Sequence, residues 1–422
     1  MNLVYIIFIC VLFFLYVWVL YNVPVLAVGV KHLKRTILKK KKSESNLEKL
    51  PTFSILVPVR DEERVVDRLL KALFKLDYPP EKRKIIIVED GSLDKTPWIC
   101  RKHAKRHPER IEFIRQSISN GKPSALNYAL KHAHGEIVAV FDADNVPEPD
   151  VLLRAAEYFE DSSIAAVQGT PCAINANQNM LTKFVSYEEA VRFQAYFQGK
   201  DALGLFVPLT GTCQFIRRSV LEEVGGWDEE SLSEDMEMSA RLTQKGHTIK
   251  YAPDIRSWQE TPASLTQFVK QRTRWFRGCM EVALRYGKLL KDFNRKSIDA
   301  EITLVGPYML APCLIGYLMA LYTFLVPVDY NPVFAIMTQV TTLFTTATLL
   351  LVGIALVYVT KPRKMTNMLW LPFIYAYWSL QTFIAAYALI QIVLKRPKRW
   401  KKTIKTGAVA NAQRFRTIKQ KG

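Results

Sequence analysis

The sequence predicts an α/β domain bracketed by membrane-spanning helices, on three observations. Residues 2–30 contain no Asp, Glu, Lys or Arg, and about 20 apolar residues are enough for a helix to cross a bilayer. Three more uncharged apolar segments lie at 302–328, 332–360 and 366–394. Residues 51–295 lie between them and alternate short β-branched runs with segments of helical apolar spacing, the signature of a parallel sheet covered by helices.

Within that middle part, 52–59 reads as a buried strand ending in a turn. Residues 62–76 read as a helix, with Val65, Val66, Leu69, Leu70, Leu73 and Phe74 on one face. The alternation continues as strand 84–88, helix 96–107, strand 111–115, helix 124–133, strand 136–141 and helix 148–160. Ligands of such sheets sit at the carboxyl ends of the strands. The expected organisation is an N-terminal transmembrane helix (1–30), a basic juxtamembrane linker (31–50), an α/β domain (51–260) and an amphipathic interface helix region (261–295). Membrane segments (296–394) and a basic tail (395–422) complete it. The apolar start has neither a basic head nor an Ala-x-Ala-like site, so a retained anchor is expected.

The net charge of +19, from 58 basic and 39 acidic residues, raises nucleic acid as a partner, and its distribution argues against it. Residues 31–42, 361–364 and 395–422 carry 7, 3 and 11 basic residues and no acidic ones, leaving the remainder at −2. Basicity next to apolar spans fits the positive-inside rule and anionic lipid headgroups better than a nucleic-acid groove. Lys31 to Lys42 place the flank after the first span in the cytosol, and with it the α/β domain. Four simple crossings would then leave the basic tail outside, so one apolar segment is expected not to cross simply. Pro307 and Pro312, or a re-entrant last segment, are the alternatives. The six cysteines are scattered without a Cys-x-x-Cys, which indicates neither a disulfide framework nor a zinc site.

Acidic groups fall at the strand ends. Pro58-Val59-Arg60-Asp61-Glu62 follows the first strand and Glu89-Asp90-Gly91-Ser92 the second. Carboxylates there can accept from ring N–H and hydroxyl donors of a base and ribose, and a turn with local hydrogen bonds is the plain alternative. Lys122, just ahead of a helix, is a contact to a nucleotide or a solvated lysine. Asp142 and Asp144 follow the strand around Val140; two residues apart in extended chain, they face one side and suit Mg²⁺ or Mn²⁺ together with substrate phosphates. An ordinary surface turn is the alternative. Ser233-Glu234-Asp235 opens a helix, where Asp235 can accept the proton of an attacking hydroxyl or serve only as an acidic first turn. Gln271, Arg274 and Trp275 share one face of a helix expected over 265–289, either as a bilayer-surface helix or as an arginine for a diphosphate beside an indole for a sugar ring.

Taken in order, Pro58 to Glu62, Glu89 to Ser92, Gly121 to Asn127, Asp142-Ala143-Asp144, Gly211-Thr212, Ser233 to Asp235 and Gln271 to Trp275 resemble the family 2 inverting glycosyltransferases. The resemblance is to the membrane-embedded branch that includes cellulose, chitin and hyaluronan synthases, and it spans 51 to about 290. It implies a cytosolic GT-A (Rossmann-like) domain packed on a transmembrane helical domain. A nucleotide diphosphate sugar would be held by Pro58, Val59, Arg60, Glu62, Glu89, Asp90, Lys122, Asp142, Gln271 and Arg274, with Mg²⁺ or Mn²⁺ at Asp142 and Asp144 and a base at Asp235. Glu234, Trp275, Gly211 and Thr212 would meet the acceptor, a lipid-linked or polymeric saccharide. Glu89 stands where the family usually has Asp, Ser233 where it has Thr, and Arg60-Asp61 where Tyr-Asn is commoner. Four apolar segments are fewer than polymer-secreting members use, which favours transfer of a single hexose over processive synthesis.

Overall fold

The computed structural model describes residues 3–38, 50–116, 119–287, 294–326, 332–359, 364–398 and 402–407. The chain forms two compact units, one of Thr36–Glu189, Phe206–Lys270 and Trp400–Gly422, the other of Met1–Arg35, Ala190–Leu205 and Gln271–Arg399. The expected basic stretches at 39–42 and 361–363, and the tail beyond 407, lie outside the described residues.

The first unit is α/β. Its elements run β1 (Phe53–Val59), α2 (Val66–Phe74), β2 (Arg83–Asp90), α3 (Thr96–Arg106), β3 (Ile111–Gln116), α4 (Lys122–Leu130), β4 (Ile137–Val140), β5 (Val146–Pro147), α5 (Val151–Phe159) and β6 (Ile164–Ala173), after the helix α1 (Leu3–Leu38). Then come α6 (Met180–Val191), the helix α7 (Gln198–Ala202), which belongs to the second unit, β7 (Gln214–Arg217), α8 (Arg218–Val224), α9 (Glu234–Gln244) and β8 (Thr248–Gln259). β1 and β2 are continuous apolar runs because helices cover both faces of a parallel sheet; Ile55, Leu56 and Val57 of β1 and Ile86, Ile87 and Val88 of β2 are fully buried. α2 lays Val66, Leu69, Leu70 and Leu73 into the same core, the spacing of one helical face.

The eight strands lie in the order β3-β2-β1-β4-β7-β6-β8-β5. β3, β2, β1 and β4 are parallel, with Ile55 opposite Ile85 and Ala139. The expectation of a wholly parallel sheet holds for that half alone: β7 pairs antiparallel with β4 and β6, and β5 antiparallel with β8, while β6 and β8 are parallel. The four-residue β7 joins the two halves, so the sheet is mixed. The loops after β1, β2 and β4 emerge at one edge, and the acidic motifs lie on them.

The second unit is helical. It contains most of α1, the π-helical turn Arg192–Phe197, α7, most of α10 (Leu265–Tyr286), α11 (Arg295–Leu325), α12 (Pro332–Val359) and α13 (Leu371–Val393). Among the described residues three helical stretches are long and apolar enough to cross a membrane: Ile9–Leu33, Arg295–Leu318 and Met365–Val393. α1 continues through the expected start of the basic linker to Leu38. α11 runs unbroken through Pro307 and Pro312, so the second apolar segment is not interrupted there. Residues 190–205, expected in the α/β domain, group with the helices for a local reason. A Cβ on Gly29 would stand 1.8 Å from Ala195 O, and one on Gly199 1.9 Å from Val25 O, so backbones meet where only glycine fits. Beside them the buried Lys200 ammonium pairs with Asp299 at 2.9 Å and donates to Thr303 Oγ1 at 2.6 Å, which satisfies a charge that could not otherwise be buried.

Candidate functional site

The loop after β1 is locked to the loop after β2. The Asp61 N–H donates to Ser92 Oγ (3.0 Å), the Glu62 N–H to Thr96 Oγ1 (2.7 Å), and the Leu93 N–H to Asp61 Oδ1 (2.8 Å). Asp61 takes φ 51°, a conformation that Asp tolerates better than most residues. Pro58 and Val59 therefore end β1, paired with Val88 and Glu89 of β2, and Arg60 and Glu62 sit on the fixed loop that follows. Glu89, completely buried, accepts from the Ser92 N–H and pairs with Arg115 Nε at 2.7 Å. Asp90 accepts from Ser119 Oγ (2.7 Å), Asn120 N (3.1 Å) and Gly121 N (3.2 Å). Both carboxylates shape the segment after β2, and Asp90 fixes the turn that leads into α4.

That turn aims Lys122 at the acidic groups after β4 and at the start of α9. Its ammonium lies 2.7 Å from Asp142 Oδ1 and 3.2 Å from Glu234 Oε1, and donates to Gly211 O at 2.9 Å. Thr212 Oγ1 accepts from the Asp142 N–H at 3.0 Å. Gly211 has φ 80°, and a Cβ there would stand 3.2 Å from both Asp235 Oδ2 and Lys122 Nζ. One ammonium thus joins the motif after β4 to the first residue of α9, with Gly211 O as its third partner. Burial would depress the Lys122 ammonium, yet Asp142, Glu234 and Asp235 outweigh it and the net shift is upward. Burial raises the Asp142 carboxyl; Asp144 and Glu234 add to the rise while Lys122 opposes it.

Asp142 and Asp144 do not lie in extended chain. The Asn145 N–H donates to Asp142 O at 3.0 Å, closing a turn, and the two carboxylates have different partners. Asp144 Oδ2 accepts from the Glu260 N–H at 2.9 Å and lies 2.6 Å from Lys405 Nζ. Glu260 in turn pairs with Arg68 Nη2 at 3.3 Å, and Arg68 also donates to Asp144 O at 3.0 Å. Glu62, beside Lys402 at 3.1 Å, is pushed up to about 7, chiefly by burial and against the pull of Lys402.

Among the described residues no three His, Cys, Asp or Glu side chains form a metal cluster. The chemistry of the turn nevertheless fits a divalent cation that draws its remaining oxygens from a substrate diphosphate. Two carboxylates occupy one turn, and the ammonium of Lys405 stands in for a cation against one of them.

Asp235 lies in the first turn of α9, partly exposed, with Oδ1 accepting from the Met236 N–H at 2.8 Å. Ser239 Oγ donates to Asp235 O at 2.6 Å and accepts from the Leu209 N–H at 2.8 Å, so α9 and the 209–212 segment are tied together. Gln271, Arg274 and Trp275 belong to the helical unit, on α10. There the guanidinium of Arg272, itself buried, lies 4.8 Å from the Trp275 ring centroid, within cation–π range.

Arg68, Arg115, Glu260, Lys402 and Lys405 escape a reading by motif. Arg68 is one of many polar residues on an amphipathic helix, Glu260 lies past the last strand, and the two lysines are part of a run that reads as lipid-facing charge.

A mixed sheet of this order, with acidic loops at its carboxyl edge and a helix N-terminus facing them, defines a GT-A-type domain. Residues 51–278, more than half of the chain, match the family model described as glycosyltransferase like family 2, and the chain belongs to that family. The probable glycosyltransferase YdaM of Bacillus subtilis is 32% identical over 296 residues, covering 68% of this chain and 69% of that protein. The β-monoglucosyldiacylglycerol synthase of Nostoc sp. is 34% identical, over 64% of this chain and 59% of that protein. The poly-β-1,6-N-acetyl-D-glucosamine synthase of Staphylococcus epidermidis is 29% identical, over 64% and 63%. The chain thus spans roughly three fifths to two thirds of the length of these relatives. A mannosyltransferase from Pyrobaculum calidifontis, solved in complex with GDP-Man and Mn²⁺, shares the fold, with a TM-score of 0.59 at 19% identity over 92% of this chain and all of that one.

Proposed function

We propose that the protein is a membrane-bound, metal-dependent, inverting hexosyltransferase that moves one hexose from a UDP- or GDP-linked donor to a lipid-linked saccharide acceptor at the cytosolic membrane face. The observation that carries this reading is the Lys122 bridge. The motif suited to a diphosphate (Asp142) and the motif suited to a base (Glu234 and Asp235) meet on one ammonium, as a displacement with donor and acceptor in one cleft requires. The β-monoglucosyldiacylglycerol synthase relative, named for a glycolipid product, supports a lipid-bearing acceptor.

In this mechanism the loops after β1 and β2 bind the nucleoside, and the ammonium of Lys122 faces the diphosphate and orients Asp142. Asp235 accepts the proton of the acceptor hydroxyl as its oxygen attacks the anomeric carbon opposite the departing diphosphate. Asp235 lies in the first turn of α9, the end of a helix where the backbone dipole favours negative charge. Mg²⁺ or Mn²⁺ at Asp142 and Asp144 would neutralise charge on the leaving diphosphate. Glu234 would meet the acceptor sugar.

Purified protein given a panel of radiolabelled UDP- and GDP-sugars with extracted membrane lipids should release free nucleoside diphosphate from one donor and label the lipid fraction. Release from none of them contradicts the reading, and full release after chelation removes the metal from it.

A further inference from the structure

The described part of the C-terminal tail, residues 402–407, runs through the carboxylate cluster of the α/β unit. Lys402 Nζ donates to Arg60 O at 2.8 Å and to Asp61 O, and pairs with Glu62 Oε1 at 3.1 Å. Lys405 Nζ lies 2.6 Å from Asp144 Oδ2 and donates to Glu260 O at 2.9 Å. The Thr406 N–H and hydroxyl both donate to Glu260 Oε2, at 2.9 and 3.0 Å. Thr403 is buried, and the Ile404 N–H reaches Gln267 Oε1 at 3.3 Å. Gly407 closes the segment at φ 70°, where a Cβ would press on Arg64 Cβ and O at 3.2 Å. Anchors on both sides of Lys405 therefore fix where its ammonium goes, and it goes to the second carboxylate of the Asp-x-Asp turn.

We propose that Lys405 is an internal cation that holds Asp144 in the unloaded enzyme, so that the tail ammonium and a divalent cation occupy this carboxylate by turns. The proposal rests on the metal reading of the preceding subsection and extends it to a residue of the tail. Asp144 Oδ2 already accepts two N–H donors, from Glu260 and Lys405, and a carboxylate oxygen so occupied has little lone-pair capacity left for a metal. A divalent ion bonded to that oxygen at about 2.1 Å would also lie against an ammonium of like sign. Among the described residues, Glu62, Asp142, Asp144, Glu234, Asp235 and Glu260 face Arg68, Lys122, Lys402 and Lys405. Without Lys405, Asp144 would be a buried carboxylate lacking its ion pair, which is costly. Loading of metal with nucleotide then lifts Lys405 from Asp144, while Lys402 and Thr406 hold the strap by independent bonds until the donor is seated.

The test reads metal binding directly, on full-length protein in detergent. Free Mn²⁺ is followed by electron paramagnetic resonance for the native protein, Lys405→Ala and Thr406→Val, alone and with UDP or GDP. Lys405→Ala should bind Mn²⁺ about tenfold more tightly or better, the scale of one charge-assisted hydrogen bond. Thr406→Val, which loosens the strap without changing charge, should shift affinity in the same direction by less. Unchanged or weaker Mn²⁺ binding by Lys405→Ala overturns the proposal while leaving the metal reading standing. If neither the native protein nor Lys405→Ala binds Mn²⁺ with either nucleotide, the metal reading falls and the proposal with it.

Discussion

At the scale of single residues, Asp235 is the proposed base, and its replacement separates a base from a structural acid. Asp235→Asn keeps the shape of the α9 first turn but cannot take a proton. Donor affinity measured by calorimetry should therefore persist while turnover falls by roughly 10² or more. Equal loss of affinity and rate would make Asp235 a structural residue. The order of acidic motifs was legible in the sequence because each follows a strand end or opens a helix, and the fold brings Asp142, Glu234 and Asp235 around Lys122. The partners of Asp144 were not legible. Glu260 and Lys405 are remote in sequence from the Asp-x-Asp turn, and a lysine among the 11 basic residues of 395–422 carries no mark that separates it from lipid-facing charge. The extended-chain argument for Asp142 and Asp144 failed because a turn closes there.

At the scale of elements, the helices and strands up to residue 160 follow their apolar periods, and the observed boundaries shift by a few residues, as at α2, which begins at Val66. The antiparallel half of the sheet was not legible. Four-residue β7 has no period long enough to read, and its pairing with β4 and β6 is a tertiary fact. One close approach tests how tightly the parallel half is built. The Gly135 and His134 N–H groups both donate to Ser54 Oγ, at 2.9 and 3.1 Å, and a Cβ on Gly135 would lie 2.5 Å from Ser54 N and 2.6 Å from Phe53 C. Backbone of β1 cannot swing aside as a flexible side chain would. Gly135→Ala should cost about 1–3 kcal/mol, the usual scale of overpacking, seen as a lowered thermal midpoint of the α/β unit. An unchanged midpoint would mean that the β1–β4 edge has slack that this geometry lacks.

At the scale of the whole molecule, the charge surplus and the uncharged apolar segments announced a membrane protein, and three helical stretches meet the length and hydropathy that a crossing requires. The insertion of residues 190–205 into the helical unit was hidden, because it depends on Gly29 and Gly199 meeting backbone that no local pattern encodes. A polysaccharide crossing a bilayer needs a polar-lined path for its hydroxyls, and the segments at 302–328, 332–360 and 366–394 contain no Asp, Glu, Lys or Arg. On the proposed function, segments so apolar fit addition of one hexose better than extrusion of a polymer. The direct measurement is the size of the product made by purified full-length protein with its donor in large excess over acceptor: the account predicts a single-sugar increment on a lipid-extractable acceptor, and a ladder running to long polymers would contradict it.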